Sequence, residues 1–518
     1  MTLACTHLAP VLALTAVLAV EGNAAAERTA SAAMETISLI QVVAATLRDN
    51  SDLRQAGAEV ERARGSLLAA AAPFDSALGL LAGGSQAYQF TAPPEPQTSY
   101  AVRQLSLAAS WSRRLRNGLT IGPEVTATKT TIDVAQPIEF TEASVRLKLS
   151  APLLRDFGGA ISAAPEQAAR AGHAAASMDE QHARAQVVLQ SAVAYWDYLA
   201  AERRLEVSRA SEARAQRTAE LTAALVQGDE RTRADLTQAE AHLASRRALR
   251  IATEQGLLAA WQQLAIAMGM RPLPLGVLPR AATDFPGGEL TTAWVAGSSW
   301  VEQTTARRSD LAAAQRRVAA AEALLQAARN EQLPGLDLEL SAGYSGQRRG
   351  AGLQRLDDPF YRDIPGVDAT VQLRLELPLE RTGARGRLAE SAAAREREHL
   401  ARAEIERRIR VAVPIAIESL KSSRHALAES ERAVQLFQQS VDHENRRFQA
   451  GSSTLLSVIQ AEELLTGALL DEIEGQRAFA VGVASLRFET STIFPDSFGQ
   501  EGASNTNASV ALRLTSLP

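Results

Sequence analysis

The segment QVVLQSAVAYWDYLA, residues 186–200, lies within the stretch of sequence that decides the fold. This stretch runs from Pro165 to Pro272, is rich in alanine and contains no internal proline. In its first half the apolar residues recur at steps of four, three and four, the spacing of one helix face: Val188, Ala192, Tyr195 and Leu199. The pattern predicts a long helix that packs one stripe of side chains against partner helices.

The long stretch is interrupted at Val226-Gln227-Gly228-Asp229-Glu230, where glycine and aspartate can end one helix and begin another. Helical spacing resumes at Leu236, so we expect an antiparallel helical hairpin over about residues 163–270. Its first arm, Ala163 to Gln227, would be about 95 Å long at about 1.5 Å per residue. An arm of that length is several times the diameter of a small globular domain.

The whole pattern occurs twice along the chain. Residues 39–68 are predicted to form one helix with Asn50-Ser51-Asp52-Leu53 near its start, and Arg308-Ser309-Asp310-Leu311 repeats that segment. A second break at Gln449-Ala450-Gly451-Ser452-Ser453 predicts a second hairpin over about residues 384–490. We therefore predict a tandem duplication, with a first repeat at residues 27–301 and a second at residues 302–494. Pro414 lies inside the second long helix, where we expect a kink or a weak turn.

Each repeat also contains two segments in which apolar and polar residues alternate. Val145-Arg146-Leu147-Lys148-Leu149-Ser150 and Val371-Gln372-Leu373-Arg374-Leu375-Glu376 are the clearest examples. The predicted strands cover about residues 74–90, 144–152, 335–345 and 369–378. An extra hairpin at about residues 104–129, with Asn117-Gly118 at its turn, would either enlarge an extracellular loop or add strands to the sheet.

Length and composition exclude several classes of protein. The chain has 518 residues and a formal net charge of -5, and no basic tract indicates nucleic-acid binding. Residues 1–26 are predicted to be a signal peptide, because an apolar run from Leu8 to Val20 precedes Ala24-Ala25-Ala26. The single cysteine, Cys5, lies in that segment, so no thiolate metal site or disulfide is expected. The tail, residues 495–518, is rich in Ser, Asn and Gly and is predicted to be disordered.

The alternating strands have two interpretations. One such strand would suit a half-buried position in a soluble sheet. Here, however, the strands occur in duplicate, each pair joined to a very long helix, and no later apolar run is long enough for a membrane-spanning helix. Four strands cannot close a barrel, and open edges cannot face lipid, so several chains would share one barrel. Three copies would give about twelve strands, within the range of known barrels.

The same order of motifs occurs twice along the chain, and in this the chain resembles the TolC-type outer-membrane efflux proteins. The resemblance rests on the duplicated Ser-Asp-Leu helix starts and on five segments: VRLKLSAPLLRDFGG, VQLRLELPLE, AYWDYLAAERRL, QGDERTRADLTQAEAHL and FQAGSSTLLSVIQAEELL. It implies a mainly α-helical fold with membrane β-structure: a homotrimer whose 12-stranded β-barrel lies in outer-membrane lipid of a Gram-negative bacterium and continues as a periplasmic α-helical barrel. The expected partners are a periplasmic adaptor and an inner-membrane efflux pump or ABC transporter.

The resemblance also assigns two candidate sites. Adaptor docking is expected at the hairpin tips, through Val226, Gln227, Gly228, Ala450, Gly451 and Ser452. The family's acidic gate residues correspond here to Asp235, Ser457 and Gln460, counted from the turn glycines with one extra residue in the first half. Its aromatic and basic locking residues correspond to Phe448 and Ser453. Of the three positions that are acidic in the family, only Asp235 is acidic in this chain, so a strong carboxylate ring is not expected. Ser453 replaces the family's basic residue, so a salt-bridge lock is not expected either.

The sequence leaves other functions in competition with a passive exit duct. A periplasmic coiled-coil adaptor or scaffold would explain the helical hairpins but not the duplicated strands. An enzyme would require a convergent polar site, and the seven histidines are scattered without a phosphate loop or a His-Glu-x-x-His pattern. We therefore expect no catalytic residues, cofactor or metal. The exported substrate is not encoded in any motif of this chain.

Overall fold

The computed structural model describes residues 36–90, 99–134, 136–270, 278–287, 300–350, 364–494 and 503–516. The predicted signal peptide lies outside the described residues. The described chain forms two compact units. We call them the strand unit, within Ala56–Glu180 and Ser309–Glu406, and the helix unit, within Met1–Gln55, Gln181–Arg308 and Arg407–Pro518.

The strand unit contains an antiparallel sheet whose six strands are neighbours in the order in which they follow along the chain. After β1 (Thr36–Ile37), a short strand of the helix unit, they are β2 (Ser76–Phe90), β3 (Ser99–Arg114), β4 (Thr120–Asp133), β5 (Ile138–Pro152), β7 (Gly335–Arg349) and β8 (Ile364–Glu376). The remaining short strand, β6 (Arg280–Ala281), pairs with β1.

The prediction of four strands per chain is wrong, because the extra hairpin becomes β3 and β4 of the sheet. Strands occur at all four predicted places, as β2, β5, β7 and β8. The other two, β3 and β4, lie between β2 and β5 and pair with them along almost their whole length. The sequence left two interpretations of this hairpin open, an enlarged extracellular loop or additional strands, and the structure shows additional strands.

The register places one apolar and one polar face on the sheet. Directly opposite residues of neighbouring strands share a face, and successive residues along a strand alternate between faces. One row crosses all six strands with apolar side chains: Leu80, Ala109, Val125, Val145, Tyr344 and Val367. The adjacent row, on the other face, is small or polar: Gly79, Ser110, Glu124, Arg146, Gly343 and Asp368.

Ion pairs lie on the polar face of the sheet. Arg146 NH2 is 3.8 Å from Asp368 Oδ2, and Arg374 NH2 is 3.6 Å from Glu339 Oε1. Lys148 pairs with Glu124 of the neighbouring strand. On the opposite face the large side chains are exposed, with Leu80 at 78% and Val371 at 75% of their full accessibility. Between Leu80 and Val371 the sheet therefore presents an exposed apolar face backed by a charged one. Nearer the β4–β5 turn the apolar face also carries two ion pairs, Arg103 with Asp133 and Lys129 with Glu139.

The helices include both predicted hairpins. In chain order the helices are α1 (Leu39–Asp49), α2 (Ser51–Ala71), α3 (Gly159–Ser162), α4 (Ala164–Gln227), α5 (Arg233–Ala267), α6 (Trp300–Arg307), α7 (Ser309–Asn330), α8 (Thr382–Gln449), α9 (Leu455–Glu489) and α10 (Ala503–Thr515). The first hairpin is α4–α5, and the second is α8–α9. Pro414 lies inside α8, and the helix continues without a break on both sides of this proline.

The predicted stripe on α4 forms the centre of the helix-unit core. Val188, Ala192, Tyr195 and Leu199 are all buried there, together with Trp196. The Tyr195 hydroxyl accepts a hydrogen bond from the Thr283 N–H at 2.8 Å and donates one to the Thr283 carbonyl at 3.0 Å. These aromatic side chains serve packing, because their rings are enclosed by α1, α5, α9 and α10.

Two other expectations about helices were wrong. Residues 39–68, predicted as one helix, divide at Asn50, whose Oδ1 accepts from the Asp52 N–H at 2.9 Å while its Nδ2 donates to the Ala267 carbonyl at 2.8 Å. The tail is not wholly disordered, because α10 places Val510 and Leu514 in the helix-unit core. Val510 and Leu514 are four positions apart and therefore share one helix face. The polar composition of the tail hid this short apolar pattern, and disorder was predicted instead.

None of the helices in the described residues combines the length and the apolarity that a membrane crossing requires.

Candidate docking tips and gate

The first tip, residues 226–230, closes α4 with a left-handed residue. The Gly228 N–H donates to the Ala224 carbonyl at 3.1 Å, and the Glu230 N–H donates to the Leu225 carbonyl at 2.9 Å. The residue with positive φ is Asp229, at 58°, and not the neighbouring Gly228. Gln227 and Gly228 are exposed, as a docking surface requires.

The second tip, residues 449–453, closes α8 in the same way. Here the left-handed residue is Gly451, with φ of 72°. The Ser452 N–H donates to the Arg447 carbonyl at 2.9 Å, which matches the bond from Glu230 to Leu225 in the first tip. This is the Schellman type of helix end, in which a residue beyond the helix bonds back across the last turn. Ala450, Gly451 and Ser452 are exposed.

The two tips therefore correspond residue by residue when Asp229 is aligned with Gly451. Thr232 and Thr454, each three residues later, are the N-caps of α5 and α9. Asp235 and Ser457 then fall at the same third position of their helices. The extra residue that the count from Gly228 required is explained, because the left-handed position in the first tip is one residue beyond its glycine.

Asp235 has a structural role in addition to its predicted place in the gate. Its Oδ2 accepts hydrogen bonds from the Thr232 N–H at 3.1 Å and from the Thr232 hydroxyl at 2.9 Å, and the Asp235 N–H donates to Thr232 Oγ1 at 3.3 Å. This reciprocal arrangement is a capping box, which satisfies amide groups at the start of α5. Ser457 donates its N–H to Thr454 Oγ1 at 3.2 Å. Gln460, one turn further along α9, is exposed.

Phe448 lies in a cluster that joins the two hairpins near their tips. The cluster combines α4 and α5 residues with α8 and α9 residues: Ala219, Ala239, Phe448, Leu455, Val458 and Ile459. The guanidinium of Arg231 lies 4.7 Å from the centre of the Phe448 ring. Because this ring is buried, it holds the two hairpins together by packing and by a cation–π contact.

Ser453, the other predicted locking residue, bonds within its own hairpin. Its hydroxyl donates to Glu444 Oε2 at 2.6 Å, and Arg447 donates to Glu444 Oε1 at 2.8 Å. The hydrogen bond from Ser453, followed by the charge of Arg447, holds the pKa of Glu444 below its usual value. The arrangement fixes an ionised carboxylate beside the second tip.

Sequence reasoning missed the polar contacts between the hairpins. Arg246 on α5 donates to Glu463 Oε1 on α9 at 2.5 Å, and Nδ1 of the buried His242 is 3.7 Å from the same oxygen. Burial, and then the charge of Arg246, lowers the pKa of His242, while Glu463 acts in the opposite direction. This ion pair holds the two hairpins of one chain together above their tips.

A second missed group is the carboxyl of Glu462, which is 6% exposed on α9. Burial raises its pKa, and the nearby guanidinium groups of Arg214, Arg217 and Arg246 act against that rise. Arg214 on α4 donates to Thr466 Oγ1 at 3.3 Å, one helical turn from Glu462. Gln460-Ala461-Glu462 repeats Gln238-Ala239-Glu240 of the first half of the sequence, but only the fold shows that the Glu462 carboxyl faces the other hairpin. Within the described ranges, no group of three or more His, Cys, Asp or Glu is placed to hold a metal ion.

Comparison with known proteins bears on this arrangement. Residues 300–489 match the family model of outer membrane efflux proteins. Over 341 residues the chain is 29% identical to the pyoverdine export outer membrane protein OpmQ of Pseudomonas putida, and the match covers 64% of this chain and 67% of that protein.

Solved structures with the same fold are outer-membrane proteins. The outer-membrane channel OprN matches with a TM-score of 0.64 at 17% identity, over 88% of this chain and 90% of that one. The outer membrane protein VceC from Vibrio cholerae matches with a TM-score of 0.62 at 20% identity, over 87% of this chain and 95% of that one. The predicted fold is therefore confirmed, and the family matched by residues 300–489 and the relative OpmQ are outer-membrane proteins, in agreement with the expected localisation.

Proposed function

We propose that this TolC-type outer-membrane efflux protein is the passive exit duct of a tripartite efflux or type I secretion system. In this proposal three copies form one channel, and a periplasmic adaptor and an inner-membrane efflux pump or ABC transporter open it. The chain supplies the conduit, whereas the pump supplies the energy and selects the cargo.

The observation that carries the proposal is the two-faced sheet of the strand unit. All six strands turn an apolar row to one side and a polar row to the other, and Glu124, Arg146 and Asp368 form ion pairs on the polar side. The ion pairs on the apolar side, Arg103 with Asp133 and Lys129 with Glu139, lie toward the β4–β5 turn, at the end of the strands. Alternation of this kind is the pattern of a barrel wall with lipid outside and water inside. A periplasmic adaptor or scaffold, the alternative, has no use for an exposed hydrocarbon face.

Closure of the wall requires more than one chain. In the described part of the chain β2 and β8 have one neighbouring strand each, so each leaves an edge of unpaired backbone groups. Such groups are costly in lipid, because no water is present to bond them. Pairing of β2 of one copy with β8 of the next removes both edges and closes the ring.

The tips and the inter-hairpin contacts supply a gate in this proposal. The exposed residues Gln227, Gly228, Ala450, Gly451 and Ser452 meet the adaptor. Opening separates the hairpins, which requires loss of the Arg246–Glu463 ion pair and partial exposure of the Phe448 cluster. Asp235 contributes a ring of three carboxylates in the trimer, which favours cations.

Membrane fractionation and native mass measurement test the proposal. The chain should appear in outer-membrane fractions as trimers that migrate intact in SDS until heated. A chain released from membranes by salt as a monomer would instead support the adaptor alternative and end the case for a duct.

A further inference from the structure

The hairpin β3–β4 is built into the sheet at a tight turn. The Leu115 N–H donates to the Leu119 carbonyl at 2.7 Å, and the Gly118 N–H donates to the Leu115 carbonyl at 2.9 Å. Gly118 has φ of 92°, and a Cβ there would lie 2.7 Å from the Asp156 carbonyl oxygen and 2.9 Å from Pro152 Cγ. Only glycine fits this close approach to the segment that follows β5.

The same turn is fixed to the start of the first long helix. Arg116 donates from Nε to Glu166 Oε2 at 2.7 Å and from NH2 to Oε1 at 3.0 Å. Glu166 is buried, and Arg170 donates to it as well, at 3.0 Å. The Arg116 guanidinium also lies 5.2 Å from the centre of the Phe74 ring, just before β2. A hairpin anchored in this way is part of the wall and not an appended loop.

Both faces of the sheet continue across the inserted strands. Ala109 and Val125 extend the apolar row between β2 and β5, while Ser110 and Glu124 extend the polar row. Glu124 also pairs with Lys148 of β5. A loop outside the membrane would have no reason to keep its apolar side chains in register with those of its neighbours on one face.

We propose that β3 and β4 span the outer membrane, so that a trimer closes a barrel of 18 strands in place of the 12 expected from the sequence. The proposal rests on the trimeric duct proposed above. It assigns lipid to the apolar face of all six strands and assigns the free edges of β2 and β8 to neighbouring copies of this chain.

The consequence is a wider exit. With strands about 4.8 Å apart and tilted by about 40°, a wall of 12 strands has a backbone diameter of about 24 Å, whereas a wall of 18 strands has one of about 36 Å. Barrels of 16 to 18 strands enclose a water-filled channel. The wider barrel would admit bulkier hydrated cargo at the outer end of the duct.

Cysteine accessibility tests whether the hairpin lies in the wall. Ala109→Cys and Ser110→Cys are conservative changes at neighbouring positions on opposite faces of β3. The parent chain, whose single cysteine lies in the predicted signal peptide, is the control for background labelling. In proteoliposomes a small, membrane-impermeant maleimide should modify Ser110→Cys about tenfold more than Ala109→Cys, because the latter faces lipid. Equal modification of the two in lipid would overturn the proposal. Modification after heating in SDS measures the total thiol of each variant.

Electron cryomicroscopy of the full chain in lipid nanodiscs counts subunits and strands separately. Three subunits with 18 strands are expected. Three subunits with 12 strands, and β3–β4 outside the wall, would overturn this inference and leave the trimeric duct intact. The absence of a trimer would instead overturn the proposed function itself.

Discussion

Asp229 and Gly451 occupy the same left-handed backbone position in the two hairpin turns, with φ of 58° and 72°. Asp229 adopts this conformation at a steric cost that glycine does not incur, of about 1 kcal/mol or more. The first tip is therefore the more strained of the two turns, and we expect its helix end to open more readily.

Reciprocal substitutions at these positions should change tip stability in opposite directions. Asp229→Gly relieves strain, whereas Gly451→Asp introduces it, and each should change the free energy of local opening by about 1 kcal/mol. Hydrogen exchange at the amides of Glu230 and Ser452 should slow about fivefold in the first variant and accelerate about fivefold in the second. Equal exchange in parent and variants would show that the turn conformation differs from the one described.

A charge at the second tip should block export without affecting assembly. Ala450 is exposed, so Ala450→Glu leaves the chain's own packing unchanged but places a carboxylate where the adaptor is proposed to dock. Export, measured as drug tolerance or secreted cargo, should fall to the level of a deletion strain, with heat-sensitive trimers at parental amounts. Gln439→Glu, on an exposed position of α8 about 16 Å away along the helix, is the matched control. Normal export in Ala450→Glu would remove the case for docking there.

The aligned positions Asp235 and Ser457 offer a paired test of ion preference. Asp235→Asn removes a carboxylate but keeps an acceptor for the Thr232 cap, and Ser457→Asp adds a carboxylate beside the Thr454 cap. In planar bilayers under a salt gradient, cation preference should decrease in the first variant and increase in the second. An unchanged reversal potential in both would place the constriction elsewhere in the molecule.

The buried carboxyl of Glu462 should make packing between the hairpins depend on pH. Burial raises its pKa above 4.5, so the folded state holds the proton more tightly than the unfolded state. The stability that this contributes is present at low pH and is lost as pH rises above the usual range of a carboxyl group. Glu462→Gln should therefore lose less thermal stability than the parent between pH 5 and pH 8. Glu240→Gln, at an exposed position of α5, should behave as the parent does. An identical loss in Glu462→Gln would show that the carboxyl carries no such linkage.

The duplicated pattern was sufficient to predict both hairpins, since the apolar stripe of Val188, Ala192, Tyr195 and Leu199 and the breaks near Gly228 and Gly451 reflect local geometry. The number of strands was not predictable in the same way. In β4, Gly122, Pro123 and several threonines weaken the alternation, and its assignment depends on pairing with β3 and β5.

The details of the tips also depend on the folded structure. Gly228 was the natural choice for the left-handed residue, but the helix continues far enough that Asp229 takes that position. Contacts between hairpins, such as that of Arg246 with Glu463, join residues 217 positions apart, and no local pattern encodes them. The order of α10 likewise depends on a hydrophobic surface that other helices provide.

The most direct test of the central claim, that the apolar face of the sheet meets lipid, compares two arginine substitutions on β8. Val371 lies on the apolar face and Thr370, next to it, on the polar face, and both side chains are exposed. An arginine at mid-depth on a lipid-facing surface costs about 2–4 kcal/mol, whereas one facing water costs little. Val371→Arg should therefore sharply reduce the amount of heat-sensitive trimer in the outer membrane, while Thr370→Arg should leave it near the parental level. Equal amounts of trimer in the two variants would contradict the account.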